Sequence, residues 1–184
     1  MTIIFSNHLD DDSYTLSQMW QGIEGVNLVE ILPDNADYEQ MVDDALAQED
    51  DTLLLIGHGT IHGLLHPDFS SEAYLVHQFN YGLIHARRVI CSWCYASTFC
   101  DTFHLSAFAT SMFISNVAEA YENSIYDVTQ EFINDTDRRI YSQLMSLINS
   151  DVPMEDWAMR IGATMDAENP IDIFNRQGLM LVNW

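Results

Sequence analysis

Short apolar runs alternate with amphipathic stretches along the chain, and this alternation predicts an α/β fold with a mostly parallel sheet. Period-2 and continuous apolar runs predict about six strands, drawn from residues 3–6, 26–32, 52–56, 63–65, 89–94, 107–115 and 179–182. Helical spacing predicts helices over 13–23, 37–48, 76–85, 119–126, 130–148 and 154–165. We therefore expect a three-layer sandwich, with helices on both faces of one central sheet.

The amount of apolar sequence is enough for one compact domain. The chain has 184 residues, of which 48% are hydrophobic, and no linker or repeat divides it. The runs at 52–56 and 107–115 are apolar without alternation, as in strands that are buried on both faces. We expect a single domain over residues 1–184.

The charge balance excludes several partners. Six basic residues, all Arg, face 28 acidic residues, which gives a net charge of -22. A protein of this charge repels the phosphates of nucleic acid and the anionic surface of a membrane. The N-terminus has neither the basic start nor the long apolar run of a signal peptide. The chain has three cysteines, and this odd number indicates thiols rather than a disulfide framework. We expect a cytoplasmic protein without nucleic-acid or membrane partners.

Two reactive residue types follow buried strands. His58 lies between Gly57 and Gly59 after the run at 52–56, and Cys94 ends the predicted strand at 89–94. Ligands of open α/β sheets bind beyond the carboxyl ends of the strands. If these two strands are adjacent and parallel, a histidine lies beside a cysteine, which is what a cysteine nucleophile requires. Strand alternation makes Cys91 a core residue instead.

These two blocks resemble those of the caspase-like cysteine peptidases (clan CD), and the Cys block is nearest to the CHAT and clostripain types. Ile56-Gly57-His58-Gly59 resembles the His block, and Ile90-Cys91-Ser92-Trp93-Cys94-Tyr95-Ala96-Ser97 resembles the Cys block. The resemblance covers residues 1 to about 116. It implies an endopeptidase with His58 as general base and acid, Cys94 as nucleophile that forms a thioester, and the Gly59 and Cys94 amides as the oxyanion hole.

The same resemblance suggests which residues recognise the substrate side chain before the cut. The positions are Ser92, two residues before the nucleophile, and Ser115 and Asn116, after the following strand. These residues are small and neutral, so they offer no cation for an acidic substrate. Asp101 or Glu119 is close enough in sequence to contribute negative charge, and we expect a peptide or protein substrate with a basic residue before the cut. No cofactor or metal is expected for this mechanism.

Two other functions remain open at the level of sequence. His8, Asp10 and Asp11 follow the first predicted strand and faintly resemble the His-Pro-Asp-Asp block of zinc-dependent deacetylases, which suggests a metal-dependent hydrolase. The same segment also reads as a solvated loop in which Asp12 or Ser13 caps the next helix. The third possibility is a non-catalytic acidic protein, such as an inactive peptidase, that binds a basic partner.

Overall fold

The computed structural model describes residues 1–20 and 23–184. The described strands are β1 (Thr2–Ser6), β2 (Asn27–Ile31), β3 (Thr52–Ile56), β4 (Gly59–Thr60), β5 (Gly63–Leu65), β6 (Tyr74–Val76), β7 (Arg88–Ser92), β8 (Ala107–Thr110) and β9 (Leu179–Val182). The described α-helices are α1 (Asp11–Trp20), α2 (Tyr38–Leu46), α3 (Ala96–Thr102), α4 (Val117–Glu122), α5 (Gln130–Ile148), α6 (Trp157–Gly162) and α7 (Pro170–Gln177).

Six strands form one central sheet in the order β2-β1-β3-β7-β8-β9. The first five run parallel, and β9 pairs antiparallel with β8. Strands β1 and β3 are buried along their whole length, as expected for the centre of a parallel sheet covered on both faces. The predicted α/β sandwich with a mainly parallel, six-stranded sheet is confirmed.

Helices cover both faces of the sheet and divide the core in two. Helices α2 and α3 pack on one face with a core that includes Leu46 and Phe99. Helices α1, α5 and α6 pack on the other face around Trp20 and Trp157. Strand β7 serves both cores, because alternation sends Cys91 to the first and leaves Ser92 against Tyr141 in the second.

A second, three-stranded antiparallel sheet, β4-β5-β6, is inserted between β3 and β7. The helix predicted over 76–85 is wrong, because β6 and a single 3-10 turn, Tyr81–Leu83, take its place. The side chain of Asn80 accepts a hydrogen bond from the His77 amide and donates one to the Leu75 carbonyl. These side-chain hydrogen bonds to the backbone stabilise a turn, and they compete with the backbone hydrogen bonds that a helix needs.

Several predicted boundaries shift at the site edge of the sheet. Strand β7 ends at Ser92 rather than at residue 94, and β8 ends at Thr110 rather than at residue 115. Helix α1 begins two residues earlier than predicted, because Asp10 caps it by accepting the Ser13 amide at 2.8 Å, in place of Asp12 or Ser13. The predicted end of that helix crosses residues 21 and 22, which lie outside the described residues.

Among residues 1–20 and 23–184, no helix has both the length and the apolar character that crossing a lipid bilayer requires.

Candidate active site

Strands β3 and β7 are neighbours and end at the same edge of the sheet. His58 stands two residues beyond β3, and Cys94 stands two residues beyond β7. The Gly57 amide donates to the Ser92 carbonyl at 3.2 Å, which ties the two strand ends together. Gly57 has φ +148, and a Cβ there would lie 2.6 Å from the Cβ of Ser6, so glycine is needed for this turn.

One cavity lies beyond these strand ends. It has room for roughly one water molecule, about 30 Å³, within a wider cleft of about 450 Å³ that opens to solvent. Both His58 and Cys94 line it, together with Asp12, Ser92, Ser115 and Asp137. The structure therefore places His58 and Cys94 at one shared cavity. No hydrogen bond joins their side chains among the described residues.

His58 is held by two carboxylates from the chain that follows β1. Its Nε2 lies 3.0 Å from Oδ2 of Asp10 and 3.9 Å from Oδ2 of Asp12. Burial lowers the pKa of His58, but the hydrogen bond and the charge of Asp10 outweigh burial and raise the pKa above its ordinary value. Burial raises the pKa of Asp10, and the bonds from His58 and Ser13 override it and hold that pKa well below its usual range. Asp10 is thus a carboxylate that orients and charges the imidazole.

The surroundings of Cys94 favour the neutral form of its thiol. Its Sγ donates to the Phe113 carbonyl at 3.3 Å. Burial raises the pKa of Cys94 to about 12, and the negative charge of Glu119 adds to the rise. The next residue, Tyr95, has φ +67, the left-handed region that costs energy for a residue with a side chain, and α3 begins directly after it. This sharp turn from strand to helix leaves Cys94 at the cavity.

Asp12 is more buried than Asp10 and carries its own set of donors. The Ser115 hydroxyl donates to Oδ2 of Asp12 and the Gln130 side-chain amide donates to Oδ1, each at 2.9 Å. Burial raises the pKa of Asp12 to about 6; the Ser115 bond opposes the rise and the charge of Asp10 adds to it. Two like charges therefore converge on one imidazole.

A third acid, Asp137, comes from α5 and lines the same cavity. Its side chain is 3% exposed, and its Oδ1 has no hydrogen-bond partner among the described residues. Burial and the charge of Asp12 raise the pKa of Asp137 well above its usual range. Beside it, the Tyr141 hydroxyl and Ser92 share a hydrogen bond of 2.7 Å. Asp137, Tyr141 and Ser92 thus add polar groups to a cavity that Leu16, Ile56 and Phe113 also line.

The other predicted site residues lie in different surroundings. Gly59 belongs to β4 and lies under Trp93, so that a Cβ at Gly59 would come within 2.1 Å of the indole. Asn116 caps α4 by accepting the Glu119 amide. Asp101 is exposed on α3 and does not line the cavity. Ser92 and Ser115 do line it, as does Cys94.

The structure brings together only some residues of the N-terminal cluster proposed for a metal hydrolase. Asp11 is exposed at the start of α1. The ring of His8 lies edge-on to His58, with centroids 4.7 Å apart. Burial and the neighbouring His58 lower the pKa of His8 to about 4, so it is a neutral imidazole at pH 7. A set of three possible metal ligands instead comprises Asp10, Asp12 and His58.

Sequence reasoning missed Asp10 and Asp12 as partners of His58, and it missed Asp137. For the first two, a signal was present: they follow a buried strand, so a parallel neighbour of β3 would bring them to His58. For Asp137 the signal was a lone acid on the apolar stripe of α5, between Ile133 and Ile140.

No family model, curated protein or solved structure matches the chain.

Proposed function

We propose that the chain is a cysteine endopeptidase in which Cys94 is the nucleophile and His58 exchanges its proton. The observation that carries this proposal is that both residues follow adjacent parallel strands and line one cavity. Two features support it further: a carboxylate, Asp10, orients the imidazole, and a strained turn at Tyr95 presents the thiol. The caspase-like resemblance of the two sequence blocks points to the same reaction.

In the proposed mechanism, the two ring nitrogens of His58 have different tasks. Asp10 engages Nε2, so Nδ1 is the atom that accepts the Cys94 thiol proton. The sulfur then attacks the scissile carbonyl carbon, and the proton passes from His58 to the leaving amine as the C–N bond breaks. Water attacks the resulting thioester and gives a proton to His58. The C–S bond breaks to release the acid, and His58 returns the proton to the sulfur of Cys94. Asp10 stabilises the imidazolium that forms.

The charge of the site favours a basic substrate. Asp12 lines the cavity, and Glu119 reaches it through Ser115, whose amide donates to Glu119 at 2.8 Å. A cationic side chain at the cleft would be attracted by these groups and would offset the charges that raise the Cys94 pKa. We therefore expect cleavage after Arg or Lys. We expect Asp12 and Glu119, rather than Asp101, to supply the carboxylates that attract this basic side chain.

A covalent probe tests the reaction. A peptidyl acyloxymethyl ketone with Arg next to the warhead should label Cys94, located by mass spectrometry of the digested protein. Cys94→Ala should abolish labelling and hydrolysis of fluorogenic Arg peptides, and His58→Ala should slow both by at least about 100-fold. Cys91→Ala, which removes a buried thiol of β7, is the matched control and should keep both.

The acidic binding protein is the second candidate, favoured by the raised pKa of Cys94. It predicts no labelling of Cys94 by any such probe and equal capture of basic peptides by the native chain and by Cys94→Ala. Rapid labelling that depends on His58 would exclude it.

A further inference from the structure

We propose that Asp10, Asp12 and His58 form a binding site for one divalent cation of the Zn²⁺ class, and that the bound ion blocks His58 as a base. The second half of this inference rests on the proposed peptidase function, whereas the first half stands on the geometry alone. One ligand atom from each of the three residues lies within 4.8 Å of the other two. Tetrahedral Zn²⁺ at its usual bond lengths separates its ligand atoms by roughly 3.3 Å. The site is thus close to the required spacing before any adjustment.

The three ligands are held in place by partners of their own. The Ser13 amide binds Oδ1 of Asp10, which leaves Oδ2 directed at His58. The Ser115 hydroxyl and the Gln130 amide each bind one oxygen of Asp12. Such outer partners orient carboxylates that ligate metals and are a regular part of metal sites.

A second observation comes from Asp137, a buried acid of the cavity that Asp12 and His58 also line. Asp137 is 3% exposed, lines the same cavity, and leaves its Oδ1 without a hydrogen-bond partner among the described residues. Within residues 1–20 and 23–184, neither Lys nor Arg lines this cavity. Buried carboxylates are normally paired or bound to a metal. A divalent ion at Asp10 and Asp12 would supply positive charge to a cavity whose other residues provide none besides His58.

The donor set selects the type of ion. One imidazole and two carboxylates suit Zn²⁺ and similar transition metals better than Ca²⁺, which takes six to eight oxygens. Water can serve as the fourth ligand, as it does at open Zn²⁺ sites. The structure thus favours a small, tightly coordinated ion over a large, hydrated one.

A bound ion would switch off the proposed dyad. Coordination uses the lone pair of His58 Nε2 and releases any proton held there to solvent. The remaining ring proton then lies on Nδ1, which leaves no lone pair to accept the thiol proton of Cys94. Hydrolysis should therefore require a metal-free site.

Calorimetric titration of Zn²⁺ into the full chain, stripped first with a chelator, tests the site. We expect one ion per chain, with Asp10→Asn and Asp12→Asn each weakening the Kd by at least about tenfold. Asp11→Asn is the matched control, because Asp11 lies between the two ligands in sequence but is exposed. Circular dichroism confirms that each variant is folded. Equal affinity for Asp11→Asn and Asp12→Asn, or no binding by the folded native chain, would overturn the proposal.

Two further measurements separate this proposal from the peptidase proposal. The Cys94→Ala variant should bind Zn²⁺ with unchanged affinity, so the site can be measured without any activity. In the native chain, Zn²⁺ should inhibit hydrolysis at concentrations that match the Kd, and a chelator should restore it. Binding without any hydrolysis would refute only the peptidase. Hydrolysis that Zn²⁺ leaves unchanged or accelerates would refute the blocking role.

Discussion

The acidic surroundings of Cys94 control how readily its sulfur reacts. Burial and Glu119 keep the thiol protonated at neutral pH, so we expect slow alkylation by iodoacetamide that accelerates as the pH rises. Glu119→Gln removes one negative charge and keeps an oxygen that can accept from Ser115. It should raise the rate at pH 7 several-fold, measured by quantitative mass spectrometry of the Cys94 peptide.

The matched control for that experiment is Glu122→Gln, on the same helix but exposed. It should leave the alkylation rate of Cys94 unchanged. If both variants react like the native chain, the charge of Glu119 does not reach the sulfur. Cys91 and Cys100, which are buried, should remain unmodified in every folded sample.

Asp137 should make the protein less stable as the pH rises. Its pKa is raised on folding, because burial and Asp12 disfavour its charged form. Its contribution to stability is therefore complete below the pKa of the unfolded chain, about 4, and is lost as the pH increases toward the folded value. Asp137→Asn cannot ionise, so relative to the native chain it should gain stability between pH 5 and pH 8, by about 1–3 kcal/mol.

Urea unfolding at pH 5 and pH 8 measures this difference. Asp151→Asn, an exposed substitution between α5 and α6, is the control and should show the pH dependence of the native chain. An Asp137→Asn curve parallel to the native one would mean that Asp137 is ionised at no greater cost than an exposed acid.

At the scale of elements, the inserted β4-β5-β6 sheet depends on Gly63. This residue has φ +143, and a Cβ on it would lie 1.8 Å from the Val76 carbonyl oxygen. Because the clash is with backbone, Gly63→Ala cannot be relieved by a side-chain rotation and should cost at least about 1–3 kcal/mol. Gly82→Ala meets no atom within 4 Å and should change stability little. Thermal unfolding of both variants decides this, and equal melting temperatures would contradict it.

The elements that were predicted well from the sequence each have one dominant hydrophobic pattern. Strand β3 and helix α5 match their predicted bounds, because a continuous apolar run and a sustained helical stripe each determine one conformation. Short elements were missed. Helix α3 has seven residues and follows the left-handed conformation of Tyr95, which the amino-acid sequence does not reveal. Helix α7 was also missed, although Asn169 followed by Pro170 is a recognisable helix start.

The composition of the site depends on the order of the whole sheet. Sequence reasoning singled out His58 and Cys94 as candidates because each follows its own buried strand. It did not find that β1 lies beside β3, which is what brings Asp10 to His58 across 48 residues of chain. Hydrophobic patterning gives the type of an element but not its neighbours, so contacts between loops of different strands require the topology.

The net charge of the whole molecule leads to the last prediction. With 28 acidic residues against six Arg, we expect repulsion among carboxylates to exceed the gain from ion pairs such as that of Arg139 with Asp172. Raising NaCl from about 10 mM to about 300 mM shortens the screening length from roughly 30 Å to below about 8 Å, and should raise the melting temperature at pH 8 by several degrees. At pH 5, nearer the sequence pI of about 4.1, the same salt step should have a smaller effect. A melting temperature that falls with salt at pH 8 would show instead that ion pairs outweigh the repulsion.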